Sequence, residues 1–329
     1  MMNKTMAAIL RVLDGTSDIT GSREIAKKLR FHGVELTERT VRYHMKILDE
    51  RGYTEVFGKE GRRITAKGRI ELQHALVSDK VGFVIGRIET LSYLTTLDLR
   101  TMEGTVILNV SFIPEERIRE ALTVLRKVMA SPFAMCDRLV LARAGERIGD
   151  ITVPCGTIGF GTICSVTING IFLKAGIPVT SRFGGILETK EKRPSRFVAL
   201  ISYEGSSLDP LEIFIRGKMT DVSGSVNGGT GRILASFREI PAVCRDEAIA
   251  ISEKMSESGI GGVLLVGNPN GPLLGVPVGF DKAGMAVVGG LNPIAALEEA
   301  GVPTESKAMS VLVDFAALKK IDSIEGDLP

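Results

Sequence analysis

Two stretches of this sequence place chemically capable side chains at spacings that could do work. In the first, Glu38 to Arg51, the residues Arg39, Arg42, Tyr43 and Lys46 recur at three- and four-residue intervals, so a helix would carry all four on one face. Three cations and a phenol on one helical face suit the major groove of DNA. Guanidinium groups reach guanine edges or phosphates there, and a phenol donates to phosphate. An amphipathic surface helix with no polyanion partner would show the same pattern. In the second stretch, Val153 to Leu187, Gly, Thr, Ser and Cys are concentrated among apolar residues. Thr162, Cys164 and Ser165 lead into a helix expected over Ser165 to Lys174, and free N–H groups at a helix start hold anions. With Cys155, Gly156 and Thr157 upstream and Arg182, Gly184 and Gly185 downstream, they form a candidate carboxylate site, Arg182 supplying a bidentate clamp. Glycines so placed serve close packing between elements equally well.

Other chemistries find little support. Past residue 78 there is no histidine, paired-carboxylate motif or nucleophile elbow, and the Asn227 to Gly231 glycines lack the lysine of a phosphate loop. The four cysteines, Cys136, Cys155, Cys164 and Cys244, form no C-x-x-C, so neither a metal site, a disulfide framework nor a bound cofactor is expected. A reducing cytoplasm suits such cysteines, and no stretch looks like a signal peptide or reaches membrane-spanning length. Cys155 and Cys164 keep one alternative open: a thiol redox sensor, or a metabolic α/β enzyme, carrying a DNA-binding head.

The elements that must position these residues are legible in part. Apolar periodicity marks helices over Met6 to Leu13, Ser22 to Leu29 (ended by Gly33) and Glu38 to Arg51, the last with Thr37 as N-cap; Val41, His44 or Met45, and Leu48 face inward. Tyr53 to Phe57, the turn Gly58-Lys59-Glu60-Gly61 and the strand from Arg62 make a hairpin. Three helices followed by a hairpin have the order of a winged helix-turn-helix, with Thr37, Arg39, Thr40, Arg42, Tyr43 and Lys46 on its recognition helix and Lys59, Arg62 and Arg63 on its wing. Residues 1–78 hold 15 Lys/Arg against 10 Asp/Glu, leaving 26 (41 − 15) against 29 (39 − 10) for the remainder, so the positive charge gathers in this module. A helix from Arg69 to Val77 closes it, with the boundary at Ser78-Asp79-Lys80.

Beyond that boundary, residues 79–329 suggest a mixed α/β domain of two duplicated halves, about 98–205 and 220–318. Ile158-Gly159-Phe160 recurs as Val278-Gly279-Phe280, Ala175-Gly176-Ile177-Pro178 as Ala300-Gly301-Val302-Pro303, Ser111-Phe112 as Ser236-Phe237, and Glu120-Ala121 as Glu247-Ala248. Gly82 to Glu89 is expected as a strand, as are Thr105 to Ile113, Leu139 to Ala142, Arg232 to Phe237, Met309 to Phe315 and a buried Gly262 to Val266. Helices are expected over Glu115 to Ala130, Asp209 to Ile215, Asp246 to Met255 and Pro293 to Ala300, with a frayed tail after Lys320.

The run VPCGTIGFGTICSVTINGIFLKAGIPVTSRFGGILE (153–188), followed by GPLLGVPVGFDKAGMAVVGGLNPIAALEEAG (271–301), both behind a small winged helix, resembles the NrpR family of euryarchaeal repressors of nitrogen-assimilation genes. The similarity spans essentially the whole chain. It implies a homodimer or higher oligomer on double-stranded inverted-repeat operators, and 2-oxoglutarate as an effector that weakens DNA binding. It does not imply a catalytic activity. Some family members carry two effector domains in tandem, whereas this chain has length for one. A second family member or general transcription factors are then further expected partners.

Overall fold

A computed structural model describes residues 4–15, 19–31, 34–74 and 82–327, in two units, Met1–Val81 and Gly82–Pro329. The stop at Gly33, the end of the helix expected to reach Val77 and the boundary at residues 78–80 lie outside the described residues.

The first unit runs α1 (Lys4–Asp14), α2 (Ser22–Phe31), α3 (Glu38–Glu50), β1 (Thr54–Phe57), β2 (Gly61–Ile64) and α4 (Ala66–His74). Thr37 Oγ1 accepts the Thr40 N–H at 3.2 Å, satisfying one of the free donors at the start of α3. Val41, Met45 and Leu48 of α3 are buried against Met6, Ile9, Leu10 and Leu13 of α1 and Ile25 and Leu29 of α2. Each such side chain contributes about 2 kcal/mol of burial. β1 and β2 pair antiparallel, and Thr20 adds a third rung by exchanging backbone bonds with Arg62 at 3.0 and 3.1 Å. The wing is thereby anchored at its base.

The second unit opens with α5 (Phe83–Leu94), where a strand was expected. Val84, Ile88 and Ser92 are its buried residues, a three- to four-residue spacing, so tertiary packing against a neighbouring helix overrides the β-branched local sequence. Then β3 (Thr105–Pro114), a 3₁₀ turn, α6 (Ile118–Met129), β4 (Arg138–Ala142), a small hairpin β5 (Arg147–Ile148) and β6 (Ile151–Thr152), β7 (Thr157–Ile163), α7 (Val166–Lys174), β8 (Thr180–Lys190) and β9 (Arg193–Ser202) follow. After α8 (Pro210–Arg216) and α9 (Val222–Gly228) the order returns: β10 (Gly231–Pro241), a 3₁₀ turn, α10 (Arg245–Glu257), β11 (Val263–Pro269), β12 (Lys282–Val288), α11 (Asn292–Glu299), β13 (Glu305–Asp314) and β14 (Lys319–Lys320).

Two five-stranded sheets result, ordered β13-β3-β7-β4-β14 and β11-β12-β10-β8-β9. The two related halves exchange strands. β8 leaves the first half to pair with β10, and β13 leaves the second half to pair with β3, so neither sheet is made by one half alone. One continuous core fills the unit, with Leu108, Phe160, Ile168 and Phe172 from the first half meeting Leu234, Met285, Ile294 and Leu297 from the second.

Register corrects two of the sequence matches. Phe112 pairs with Gly159 and Glu239 with Gly284, and Pro114 and Pro241 close the corresponding strands, so the strand offset is 127 (241 − 114). Ser111 therefore corresponds to Arg238, not Ser236. Gly159 corresponds to Gly284 (284 − 159 = 125), while Val278-Gly279-Phe280 lies in the loop before β12, with Phe280 exposed. The Ala-Gly-apolar-Pro matches do occupy equivalent places: Gly176 at φ 81 and Gly301 at φ 79 end α7 and α11, and the N–H groups of Ile177 and Val302 reach back to Phe172 and Leu297. β11 is half-exposed at a sheet edge instead of buried, and the tail beyond Lys320 is held by buried Ile321 and Ile324.

Candidate functional site

The outward face of α3 carries the expected cations. Arg39, Arg42, Tyr43 and Lys46 are all exposed, Tyr43 at 64%. His44 is half-buried and Met45 takes the core position. Arg42 is held by Glu38 one turn back at 2.6 Å, and that bond keeps the Glu38 carboxyl below its ordinary range. Thr37 and Thr40 share a hydroxyl contact at 2.8 Å at the helix start. On the wing, Lys59 is exposed, and Arg63 is exposed, paired with Glu55 at 3.2 Å and stacked on Phe57. Arg62 differs: its guanidinium is half-buried and occupied by both carboxylate oxygens of Asp49, so it braces the wing against the end of α3.

The glycine-rich stretch does not form one site. Cys155 and Gly156 precede β7, Thr157 opens it, and Cys164 and Ser165 follow it; the seven-residue strand spans about 20 Å. Cys155 is exposed, Gly156 gives its carbonyl to the Glu115 N–H, and Thr157 bonds Pro154. Cys164 is buried, which pushes its thiol up to about 12, so it is no thiolate at neutral pH. Too far from Cys155 for a disulfide, it cannot join that residue in a redox pair. Thr162 is buried and donates to the Gly290 carbonyl at 3.2 Å, where the starts of α7 and α11 meet. Gly184 and Gly185 are packing glycines in β8, since a Cβ would lie 2.8 Å from Pro210 Cβ and 2.6 Å from the Ala199 carbonyl oxygen.

Of the expected site residues, Arg182 lines a sizeable cavity. About 480 Å³ in volume, it is walled by Ile85, Ile88, Glu89 and Ser92 of α5 and by Asn169 and Leu173 of α7, with Thr180, Ser181, Arg182, Ser202 and Glu204 around the sheet end. Arg182 is 45% exposed and leans toward buried Glu239 at 3.7 Å, whose other oxygen accepts the Gly279 N–H at 2.9 Å. Glu89 and Glu204 are exposed at the rim. Behind the floor lies a residue that the sequence did not single out, Arg238 of β10, 1% exposed. It donates to Ser236 Oγ at 3.2 Å, to Ser165 Oγ at 3.0 Å and to Asn169 Oδ1. Burial pulls its guanidinium down to about 10, and among the described residues no carboxylate is within ion-pair reach of it. A second, small cavity is lined by Asn109, Cys164, Ser165, Tyr203 and Asp209. Burial raises the Asp209 carboxyl to about 7, although Asp209 also caps α8 by accepting the Leu211 N–H at 2.8 Å.

Among the described residues, no group of three or more His, Cys, Asp or Glu could hold a metal, and no helix is long and apolar enough to cross a membrane.

Comparison with known proteins agrees with this division. A family model described as the ribonuclease R winged-helix domain matches residues 7–72, and one described as NrpR regulatory domains NRD1 and 2 matches residues 81–320. The global nitrogen regulator NrpRI of Methanosarcina mazei is 38% identical over 320 residues, 97% of this chain and 98% of its own. The global nitrogen regulator NrpR of Methanococcus maripaludis is 32% identical over 95% of this chain, which spans only 54% of that relative. A crystal structure of a nitrogen repressor-like protein from Methanococcus jannaschii superposes with a TM-score of 0.62 at 32% identity, covering 72% of this chain and 98% of that one. With a winged helix ahead of a regulatory domain matched along nearly its full length, the chain belongs to the NrpR family, a family of regulators and not of enzymes.

Proposed function

We propose that this chain represses nitrogen-assimilation genes by binding inverted-repeat operators as a dimer, and that 2-oxoglutarate entering the α5/α7 cavity releases it. Nitrogen-related transcriptional regulation follows from the family; the operator geometry and the effector are the further step. The observation that carries the reading is the position of α5. It is the first element after the Val81–Gly82 boundary, and four of its residues wall the cavity. A ligand seated against Ile85, Ile88, Glu89 and Ser92 bears on the helix from which the chain leads back to the DNA-binding module. If the two states of α5 set different separations of the recognition helices in a dimer, ligand and operator compete by their differential fit.

A dicarboxylate needs donors at both ends. Arg182, the Asn169 amide and the Thr180, Ser181 and Ser202 hydroxyls supply them, while the carboxylates of Glu89 and Glu204 leave one side of the rim unfavourable to an anion. Fluorescence anisotropy on an inverted-repeat promoter fragment, at fixed salt, tests the reading. Expected is specific binding relieved by 2-oxoglutarate and not by a monocarboxylate. Binding indifferent to 2-oxoglutarate would remove the effector assignment and leave the DNA-binding one. Replacing both Arg39 and Lys46 with Ala should weaken all DNA binding and flatten its salt dependence by roughly two counterions; unchanged affinity would count against α3 as the reading helix.

A further inference from the structure

Arg238 is a buried cation with three neutral partners, and the duplication shows that the fold does not require it. At the equivalent place in the other sheet stands Ser111 (238 − 127), which shares a hydrogen bond of 2.9 Å with Ser306. Asn169 likewise corresponds to Ile294 (169 + 125), a fully buried apolar residue. In the sheet that contains β3, this position is thus packed with a serine pair and an isoleucine. The sheet that contains β10 instead holds Arg238 against Asn169 of α7, with Ser165 and Ser236 as the remaining acceptors. Burying a guanidinium without a counter-ion is unfavourable, and packing alone gives no reason for it.

The network also settles which way the Asn169 amide points. A guanidinium only donates, so the Asn169 oxygen must face Arg238, and its nitrogen then donates to Ser181 Oγ at 3.1 Å. Asn169 and Ser181 both line the 480 Å³ cavity.

We propose that Arg238 makes this cavity selective for small carboxylate anions, by holding Asn169 with its N–H side toward the ligand and by placing an uncompensated positive charge behind the floor. Arg238 is a positioning residue and does not touch the ligand. The proposal rests on the cavity being the effector site. Neutral isosteres of the same shape gain nothing from the buried charge and meet a donor where an ester presents no anion, so charge, and not fit alone, sets the selection.

The test is calorimetric titration of the full chain with 2-oxoglutarate and with its neutral dimethyl ester, alongside thermal unfolding. The wild type should bind the anion and not the ester. Arg238→Met, which keeps the buried length and removes the charge, should lose roughly 30-fold or more in affinity while unfolding at an equal or higher temperature. Asn169→Asp hands Arg238 a counter-ion and should lose affinity similarly without loss of the fold, and it keeps the test alive if the Met variant does not fold. Arg238→Lys should retain part of the affinity. Wild-type affinity in both Met and Asp variants would overturn the proposal while leaving the effector reading in place. The same holds for lowered unfolding temperatures with ligand affinity intact. A wild type that binds its operator but no 2-oxoglutarate would overturn the effector reading and this proposal together.

Discussion

The first and second halves of the body solve one structural problem with the same device and then diverge. In each, the residue just inside the central helix accepts a strand N–H. Thr167 Oγ1 takes that of Ile107 at 3.1 Å, and Asn292 Oδ1 takes that of Leu234 at 2.8 Å. Two residues earlier in α11's half stands Gly290, pressed against the Ile163 carbonyl; in the first half its counterpart is Ser165, whose hydroxyl reaches Arg238. The second half is thus packed to the limit at its helix start, whereas the first spends the equivalent volume on a polar network beside a cavity. A duplicated fold needs both copies for its core but only one for a ligand, which frees the other to become a pure packing unit.

The largest departure expected from breaking this comparison is Asn292→Ala. Its amide also donates to the carbonyls of Phe133 and Leu234, so three buried backbone groups lose partners and stability should fall by about 3 kcal/mol or more in urea unfolding. Thr167→Val removes one acceptor and should cost roughly 1 kcal/mol. Equal losses would mean that both helix starts carry the core alike. Next is Gly290→Ala. Its Cβ would lie 2.5 Å from the Ile163 oxygen and 2.9 Å from Asn109 Nδ2, so about 2 kcal/mol of overpacking is expected. A neutral result would show slack between the halves.

A smaller effect appears as pH dependence on the first-half side. Asp209 has its folded pKa raised from 3.8 to about 7, chiefly by burial, with the Glu212 charge adding to it and the Leu211 N–H opposing it. Because the folded state holds this proton more tightly, the associated stability is fully present below about pH 4 and is lost as pH rises through 7. The residue is half-buried, and discounting for solvent screening leaves about 1–2 kcal/mol. Thermal unfolding of wild type should therefore weaken between about pH 4 and 7 relative to Asp209→Asn, and parallel profiles would contradict the shift. The smallest change is Ser306→Ala, which removes the serine pair between β3 and β13. It should cost about 0.5–1 kcal/mol and leave ligand binding untouched; an altered affinity would mean that the two halves are coupled through their exchanged strands.

Some of this was legible before any coordinates. Thr37, the α3 periodicity, the turn at Gly58 to Gly61 and the helix-ending Gly176 and Gly301 are local signals, written by caps, turns and one helical face. The central strands were not. β7 and β8 carry Gly159, Gly161, Gly184 and Gly185, and glycine has little intrinsic strand preference, so that stretch suggests a loop that cradles an anion. In the fold, a Cβ at any of the four would run into a neighbour at 2.8 Å or less, which is why glycine stands there. Arg62 shows the same limit on the wing: its charge is evident in the chain, but only the fold brings Asp49 against it.

The winged helix, the exposed cationic face of α3 and the existence of two related halves can be read along the chain, because each rests on contacts within a few residues or on repeated residue types. The exchange of β8 and β13, the burial of Arg238 and the gathering of Ser165, Asn169 and Ser181 around it belong to the tertiary structure alone. Residue 165 at the start of α7 and residue 238 in β10 meet side chain to side chain across more than seventy positions, and a contact at that range leaves no local period for the chain to display.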